Sequence, residues 1–309
     1  MSKASTMLRL LKSDSNDLGK AIAYNLERMK ITRLIPDALY LKIMYRLNIG
    51  ERLNLKKPIN YTEKLQWLKL YYRDPVLCEL VDKYRVRDHI AKTIGSNYLI
   101  PLLGVWDSFN DIDFNELPDR FVLKCNHDSG SVIICKDKKT FDIENARKKL
   151  SLALKNNMYY FEREWPYKGV KPLILCEEYL EDTVGKALTD YKFFCFNGEP
   201  KVMYQSRDKA EEPYTDFFDM DYNHLPIRMR DPNAKIPPSK PESFEKMKQL
   251  AATLSKGFPH VRVDFYEVNG TIYFGELTFY HCSGMVKVNP PEWNEKMGGW
   301  LILPKTIVR

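Results

Sequence analysis

Arg262-Val-Asp264 is followed, twelve positions after the aspartate, by Glu276-Leu-Thr278. The turn signal Asn269-Gly270 lies between them, so the two segments read as arms of a β-hairpin. Alternate residues of a strand share one face, which lets Arg262, Asp264, Glu276 and Thr278 point the same way. Two carboxylates and a hydroxyl beside a guanidinium make a hard-oxygen environment suited to Mg²⁺ and to the phosphate it accompanies. A cross-strand ion pair on a solvated sheet face would use the same residues.

Three further groups could join that chemistry. Lys124 ends the run Phe121-Val-Leu-Lys124 and precedes Cys125-Asn-His-Asp-Ser129-Gly130-Ser131, a small polar turn whose backbone N–H groups can cradle phosphate oxygens. It is not a Walker motif, and in isolation it also reads as an exposed hairpin with a surface lysine. Leu173-Ile-Leu-Cys-Glu177-Glu178-Tyr179-Leu180 is an apolar strand ending in two carboxylates, either an edge strand with solvated acids or a hinge whose backbone pairs with a nucleobase. Asp190-Tyr-Lys192 opens a long strand; by itself it is a solvated pair, but Lys192, Lys124 and Arg262 together supply the three cations a nucleoside triphosphate demands. Arg207-Asp208 is a fourth candidate of this kind.

The elements that must position these groups follow from periodicity. Phe121–Lys124, Val132–Cys135, Leu173–Cys176, Tyr191–Phe196 and Pro200–Tyr204 have strand texture, and Asn197-Gly198 joins the last two as a hairpin. Val261–Tyr266 and Thr271–Glu276 form the second hairpin. Helices are expected at Ile143–Lys155 and Ser243–Ser255, giving an α+β body of antiparallel sheets with helices packed on them. Pro232–Pro241, with four prolines, reads as a loop. Before residue 99 the pattern is helical: Ile22, Leu26 and Met29, then Leu39, Ile43 and Leu47, recur at helical spacing. Asn60 with Glu63 resembles a capping box ahead of the stripe Leu65, Leu68 and Tyr72, and a further helix is expected from about Pro75 to Ile94.

Composition narrows the function classes. With 309 residues, 44% of them hydrophobic, the chain can bury a large core. No run of about eighteen apolar residues is present, so a membrane span is not expected. The start lacks an apolar stretch followed by a small-residue cleavage site, so secretion is not expected either. Six cysteines without a C-x-x-C pair read as reduced core thiols in a cytoplasmic protein. The net charge of +7 lies wholly in residues 1–60, with twelve Lys/Arg against five Asp/Glu, while residues 61–309 hold thirty-six of each. Basic and aromatic residues do not interleave there, so no nucleic-acid partner is expected. A basic amphipathic segment ahead of a neutral body suits an anionic sugar polymer, a lipid-linked intermediate or peripheral attachment to the inner membrane face.

The order of Lys-turn, Glu-Glu hinge, Asp-x-Lys hairpin and Arg-x-Asp…Glu hairpin resembles the ATP-grasp superfamily. Asp190-Tyr-Lys-Phe-Phe-Cys-Phe-Asn-Gly198, Val261 to Tyr280 and the closing Trp293-Asn-Glu-Lys-Met-Gly-Gly-Trp-Leu-Ile-Leu-Pro304 are similar to the TupA-like ATP-grasp family of bacterial surface-polysaccharide and teichuronopeptide gene clusters, over roughly residues 55–303. Asp82-Lys83 looks like the pair that opens the first nucleotide-facing helix in many ATP-grasp enzymes. The resemblance implies an ATP-grasp fold, two antiparallel-sheet α+β subdomains clasping ATP. A basic helical segment 1–60 would precede an ATP-grasp domain over 61–309, with a lid-like part at about 121–180 and a catalytic sheet at about 181–304.

It also implies roles. Lys124 and Lys192 would contact the α- and β-phosphates, with Asp190 beside Lys192 and with Ser129 and Gly130 in the loop over the phosphates. Glu177, Glu178, Tyr179 and Leu180 would form the adenine hinge. Arg262 would bind the reacting phosphate, with Lys192 as its catalytic companion, and Asp264 and Glu276 would hold Mg²⁺. Many ATP-grasp enzymes end this motif Glu-x-Asn; here Thr278 offers only a hydroxyl. His281-Cys-Ser-Gly284 falls where such enzymes place a loop near the acceptor, and the segment 127–175 is the candidate lid. The implied activity is an ATP-dependent carboxylate–amine ligase working through an acyl phosphate, amidating a sugar acid such as a uronate with an amino acid or other amine. A glycosyltransferase, with Asp111-Ile-Asp113 or Asp219-Met-Asp221 as its metal triplet, a sugar kinase and a non-catalytic nucleotide-binding scaffold are the rivals.

Overall fold

Both Asn-Gly turns take the left-handed backbone that a two-residue hairpin demands, with φ of 50° and 86° at Asn197-Gly198 and of 50° and 77° at Asn269-Gly270. They join β5 (Asp190–Phe196) to β6 (Glu199–Arg207) and β9 (His260–Val268) to β10 (Thr271–Thr278). Because β5 also pairs with β9, the hairpins fuse. With β7 (Tyr214–Asp219) and β8 (His224–Leu225) they make a six-stranded antiparallel sheet of order β10-β9-β5-β6-β7-β8. Its core face carries Phe193, Val263 and Phe265, covered by Phe244, Met247 and Leu250 of a helix over Phe244–Leu254. By the two-residue period, Lys192, Arg262 and Asp264 lie on the other face. The computed structural model describes residues 31–182, 188–207 and 214–305.

A second antiparallel sheet is built from β1 (Leu102–Trp106), β2 (Phe121–Cys125), β3 (Ile133–Cys135) and β4 (Ile174–Glu178), in the order β1-β4-β2-β3. It has a core of its own, in which Phe121, Leu123, Ile174 and Cys176 meet Ala146 and Leu150. The strands read from the sequence are present; β1, β7 and β8 are additional to them. None of the six cysteines forms a disulfide, and Cys125, Cys135, Cys176 and Cys195 are buried.

Among the described residues the α-helices, in chain order, are α1 (Asp37–Ile49), α2 (Tyr61–Tyr71), α3 (Val76–Leu80), α4 (Val86–Thr93), α5 (Ile143–Ala153), α6 (Tyr159–Glu162), α7 (Phe244–Leu254) and α8 (Pro291–Trp300). Two helical expectations change. The helix expected over residues 75–94 is two helices, because the Asp82 carboxylate accepts the N–H groups of Tyr84 and Arg85 and starts a new turn there. The stripe Leu39, Ile43 and Leu47 belongs to α1, but it faces outward, whereas Tyr40, Leu41, Met44 and Tyr45 form the buried side with Met285. The positions Ile22, Leu26 and Met29 lie outside the described residues. In α2, Glu63 accepts from the N–H groups of Asn60 and Ile59, and Leu65 and Leu68 are buried as their spacing predicts.

Candidate active site

Three strands of the large sheet bring the charged groups into one row. Lys192 on β5 lies opposite Asp264 on β9, and Asp264 lies opposite Glu276 on β10. The next row is Phe194, Arg262 and Thr278. Hairpin counting alone does not produce this. From the Asn269-Gly270 turn, Val268 pairs with Thr271 and Phe265 with Phe274, a register that would set Asp264 against Gly275 and turn Glu276 to the opposite face. A bulge at Gly275 adds one residue and returns Glu276 to the side of Asp264. A Cβ there would stand 3.2 Å from the Asp264 carbonyl oxygen and 3.2 Å from the Tyr266 ring.

Lys192 Nζ donates to Asp190 Oδ1 at 3.0 Å and to Asp264 Oδ2 at 2.9 Å. Burial pulls the lysine pKa down, but Asp264 and Asp190 outweigh it and hold the ammonium well above its ordinary value. Arg262 grips Asp264 with two hydrogen bonds of 2.7 Å, and its Nη2 also donates to Glu276 Oε1 at 2.8 Å and Thr278 Oγ1 at 3.0 Å. Burial pushes the Glu276 carboxyl up, yet the charges of Lys83, Arg262 and Lys192 and the Thr278 hydroxyl bring it down to about 2. Exposure separates the members: the side chains of Asp264 and Arg262 are 1% and 8% exposed, that of Glu276 34%. Glu276 is therefore the more accessible of the two carboxylates.

The remaining Arg262 nitrogen, Nη1, donates to His281 Nδ1 at 2.6 Å. Since arginine has only donors, His281 is the neutral tautomer with its proton on Nε2. Burial first, then Arg262, His260 and Lys192, hold its pKa well below the usual histidine value. The next three residues are left-handed, with φ of 46° at Cys282, 55° at Ser283 and 61° at Gly284. Such a run persists only where its surroundings hold it. Here α2 does so: Gln66 Nε2 donates to the carbonyls of Ser283 and Gly284 at 2.9 and 3.0 Å, and buried Lys69 to the Ser283 carbonyl at 2.7 Å.

Facing this sheet is the end of the smaller one. Lys124 Nζ meets Glu177 Oε2 at 2.5 Å, and Arg87 of α4 meets the same carboxylate at 3.4 Å. Glu177 is thus a buried counter-ion, while Glu178 is exposed. Tyr179 and Leu180 line an open cavity of about 530 Å³ against Val268, Asn269, Thr271 and Tyr273 of the β9–β10 hairpin, with Arg120 stacked over Tyr179. Ser129 and Gly130 are exposed in the β2–β3 loop. Lys83 links the two sheets: its Nζ donates to the Asp128 carbonyl of that loop at 2.5 Å and stands 4.0 Å from Glu276 Oε2. Asn126 fixes the turn that carries it, accepting from Lys83 N–H and donating to Asp82 Oδ1.

Lys83, Arg87, Gln66 and Lys69 are absent from the site set that the sequence suggested. The signal for Lys83 was the Asp82-Lys83 pair; for Gln66 and Lys69 of α2 it was polar character among the apolar residues Leu65, Trp67, Leu68 and Leu70. Asp208 lies outside the described residues. Of the two D-x-D triplets, Asp219 caps its own turn, accepting from Asp221 and Asn223 N–H groups, and Asp111 ends a 3-10 turn. Among the described residues no group of three or more His, Cys, Asp or Glu is arranged to hold a metal on its own.

Comparison with known proteins places this geometry. Residues 63–302 match the family model of TupA-like ATPgrasp. Similar solved structures include the D-alanine–D-alanine ligase of Bacillus anthracis, at 17% identity over 65% of this chain and 57% of that one with a TM-score of 0.39. The enzyme of the same name from Helicobacter pylori has 10% identity over 78% and 69%, with a TM-score of 0.43. The N5-carboxyaminoimidazole synthase of Aspergillus clavatus, solved with ADP, has 12% identity over 66% and 46%, with a TM-score of 0.38. The chain spans less than two thirds of the length of the Bacillus anthracis ligase, and no curated protein matches it. The family match over most of its length, together with its two antiparallel sheets and their helices, shows that this chain has an ATP-grasp fold and belongs to the TupA-like ATP-grasp family.

Proposed function

We propose that the protein is an ATP-dependent carboxylate–amine ligase that works through an acyl phosphate. The carboxylate is that of a sugar acid, such as a uronate in a surface polysaccharide or its precursor, and the amine is an amino acid or related compound. The observation that carries the reading is the row Lys192–Asp264–Glu276, backed by Arg262 and faced by Lys83, in a chain of this family.

Phosphoryl transfer needs positioning and charge neutralisation more than a protein nucleophile. The acceptor carboxylate oxygen attacks the γ-phosphorus, ADP leaves, and the amine then displaces phosphate to form the amide. Lys192, Lys83 and Arg262 offset the charge on the triphosphate, and Lys124 and Arg87 extend that field from the smaller sheet. The family resemblance would put the adenine beside Tyr179 and Leu180, at the cavity that Arg120, Glu181 and Asp182 also line. Asp264 and Glu276 present the hard oxygens that suit Mg²⁺, and Glu276 has the exposure to receive it. Bound there, the ion would neutralise phosphate charge. Both Asp264 oxygens are engaged by Arg262 and Lys192, so the arginine must give up part of its grip when a metal shares that carboxylate. The acyl phosphate hydrolyses if water enters, and the segment 127–175, which carries the β2–β3 loop, is the element placed to exclude it.

Incubation with MgATP and a panel of sugar acids and amino acids tests the reading. Release of ADP and phosphate together with an amide product, lost in Lys192→Ala and Glu276→Ala, is the expected result. AMP and pyrophosphate as products, ADP formation with no need for an amine, or full activity in both variants would contradict it.

A further inference from the structure

The outer face of α1 carries two parallel columns. Leu39, Ile43 and Leu47 succeed one another at intervals of four and are 51%, 45% and 38% exposed. Lys42 and Arg46, also four apart, run beside them and are exposed. The core does not need these side chains, since α1 is anchored by Tyr40, Leu41, Met44 and Tyr45 on its other side. Leu34, just ahead of the helix, is 86% exposed. From Ala38 to Ile49 the helix has no acidic residue. Asp37, at its start, is engaged by Arg163 at 3.0 Å and by the Tyr159 hydroxyl. Arg46 Nη1 donates to the Gly50 carbonyl at 2.7 Å, which fixes the arginine along the helix end. The loop that follows adds Arg52, Lys56 and Lys57, all exposed, against one exposed acid, Glu51.

An apolar column bordered by cations in clear excess over acids has the complementarity of one particular environment. At the boundary between the headgroups and acyl chains of an anionic bilayer, the apolar column enters the hydrocarbon edge while the cations meet lipid phosphates. A nucleic acid would use the cations and leave the apolar column in water. A purely apolar protein partner would strip water from Lys42 and Arg46 without compensation. We propose that the outer face of α1 docks the protein on an anionic lipid surface, with the helix lying in the plane of the interface. Its 13 residues make a rod about 20 Å long, which lies along a bilayer and does not cross it. Among the described residues no helix is long and apolar enough to span one.

The test is flotation of the full chain with phosphatidylcholine vesicles and with vesicles containing about one-third phosphatidylglycerol. Binding to the anionic vesicles alone is expected. Ile43→Ser with Leu47→Ser, and separately Lys42→Glu with Arg46→Gln, should each weaken it by about tenfold or more. Both pairs should keep the circular dichroism spectrum and cooperative unfolding of the parent, because the altered side chains are exposed. Four results would overturn the proposal: no vesicle binding, equal binding to both lipids, or binding retained by both pairs of substitutions, which would move it to residues 1–30. The fourth is a dimer in sedimentation that Ile43→Ser with Leu47→Ser abolishes, which would make the face a contact between copies.

Discussion

Glu276 faces Asp264 across β9 and β10 because Gly275 inserts one unpaired residue into the hairpin. That bulge places both carboxylates on the face that carries Lys192 and Arg262. Gly275→Ala should lower stability by about 1–3 kcal/mol, since a Cβ meets the Asp264 backbone and the Tyr266 ring. Deleting Gly275 removes the extra residue and leaves Glu276 opposite Asp264 in simple hairpin register, so nucleotide binding should survive the deletion. Urea denaturation and calorimetric titration with ATP measure the two effects.

Asp264 and Glu276 should separate when each is neutralised. Asp264→Asn leaves Arg262 and Lys192 buried without their main counter-charge and should cost about 3–5 kcal/mol. Glu276→Gln acts on a partly exposed carboxylate and should cost only about 1 kcal/mol. Its loss should fall on ATP-dependent phosphate release instead. Chemical denaturation of both variants, alongside phosphate release by the second, checks the distinction.

Acid should destabilise the protein in two stages. His260 is buried between Tyr61 and the Phe279 carbonyl, and burial first, then Arg262, lower its pKa to about 4, despite the opposing bond to the Phe279 carbonyl. His281 is lowered as well. The unfolded chain takes up protons at both as pH falls below about 6.5 while the folded chain stays neutral, so stability declines from there. His260 contributes about 1.5–2 kcal/mol of that loss between pH 6.5 and pH 5, and His281 adds to it in the same direction. Glu276, whose folded value is depressed, adds its own loss only as pH falls from about 4.5 towards 2. Unfolding midpoints recorded from pH 8 to pH 4 should carry the histidine contribution in the first window. His260→Gln should make the slope shallower.

The left-handed run Cys282–Gly284 depends on α2. Gln66→Leu removes a donor from both the Ser283 and the Gly284 carbonyls, and Lys69→Met removes one from the Ser283 carbonyl. Each lost carbonyl bond is worth about 1 kcal/mol, so amide hydrogen exchange at residues 282–285 should quicken by about fivefold in Lys69→Met and by about thirtyfold in Gln66→Leu. The strands of the large sheet should exchange as before. Uniform acceleration across the sheet would show that these side chains serve the core as a whole.

Much of the candidate site's face was legible in the sequence, for reasons that are local. Asn-Gly turns and period-2 runs located β5, β6, β9 and β10, and spacing put Lys192, Arg262, Asp264 and Glu276 on them. The common face of Glu276 and Asp264 was reached by counting alternation, whereas the fold achieves it through the bulge; an isolated glycine inside a strand pattern is the cue for such a feature. The stripe Leu39–Ile43–Leu47 identified a helix but not its buried side, because Tyr40, Leu41, Met44 and Tyr45 compete for the same periodicity. Lys83 and Arg87 owe their places to the break at Asp82, whose carboxylate caps a turn inside an apparently continuous helical run. β8 has two residues, too few for any periodic signal, and β1 is interrupted by Gly104. Contacts such as Gln66 to Ser283 join residues 217 positions apart, beyond the reach of sequence spacing.

The most direct measurement follows the oxygen. Sugar acids labelled with ¹⁸O in the carboxylate are incubated with the protein, MgATP and a mixture of amino acids, and the phosphate released is weighed by mass spectrometry. An acyl-phosphate ligase transfers one carboxylate oxygen to inorganic phosphate for each amide formed. That is the result this account predicts, with the transfer lost in Lys192→Ala. Label appearing in AMP, or phosphate that carries none, would contradict it.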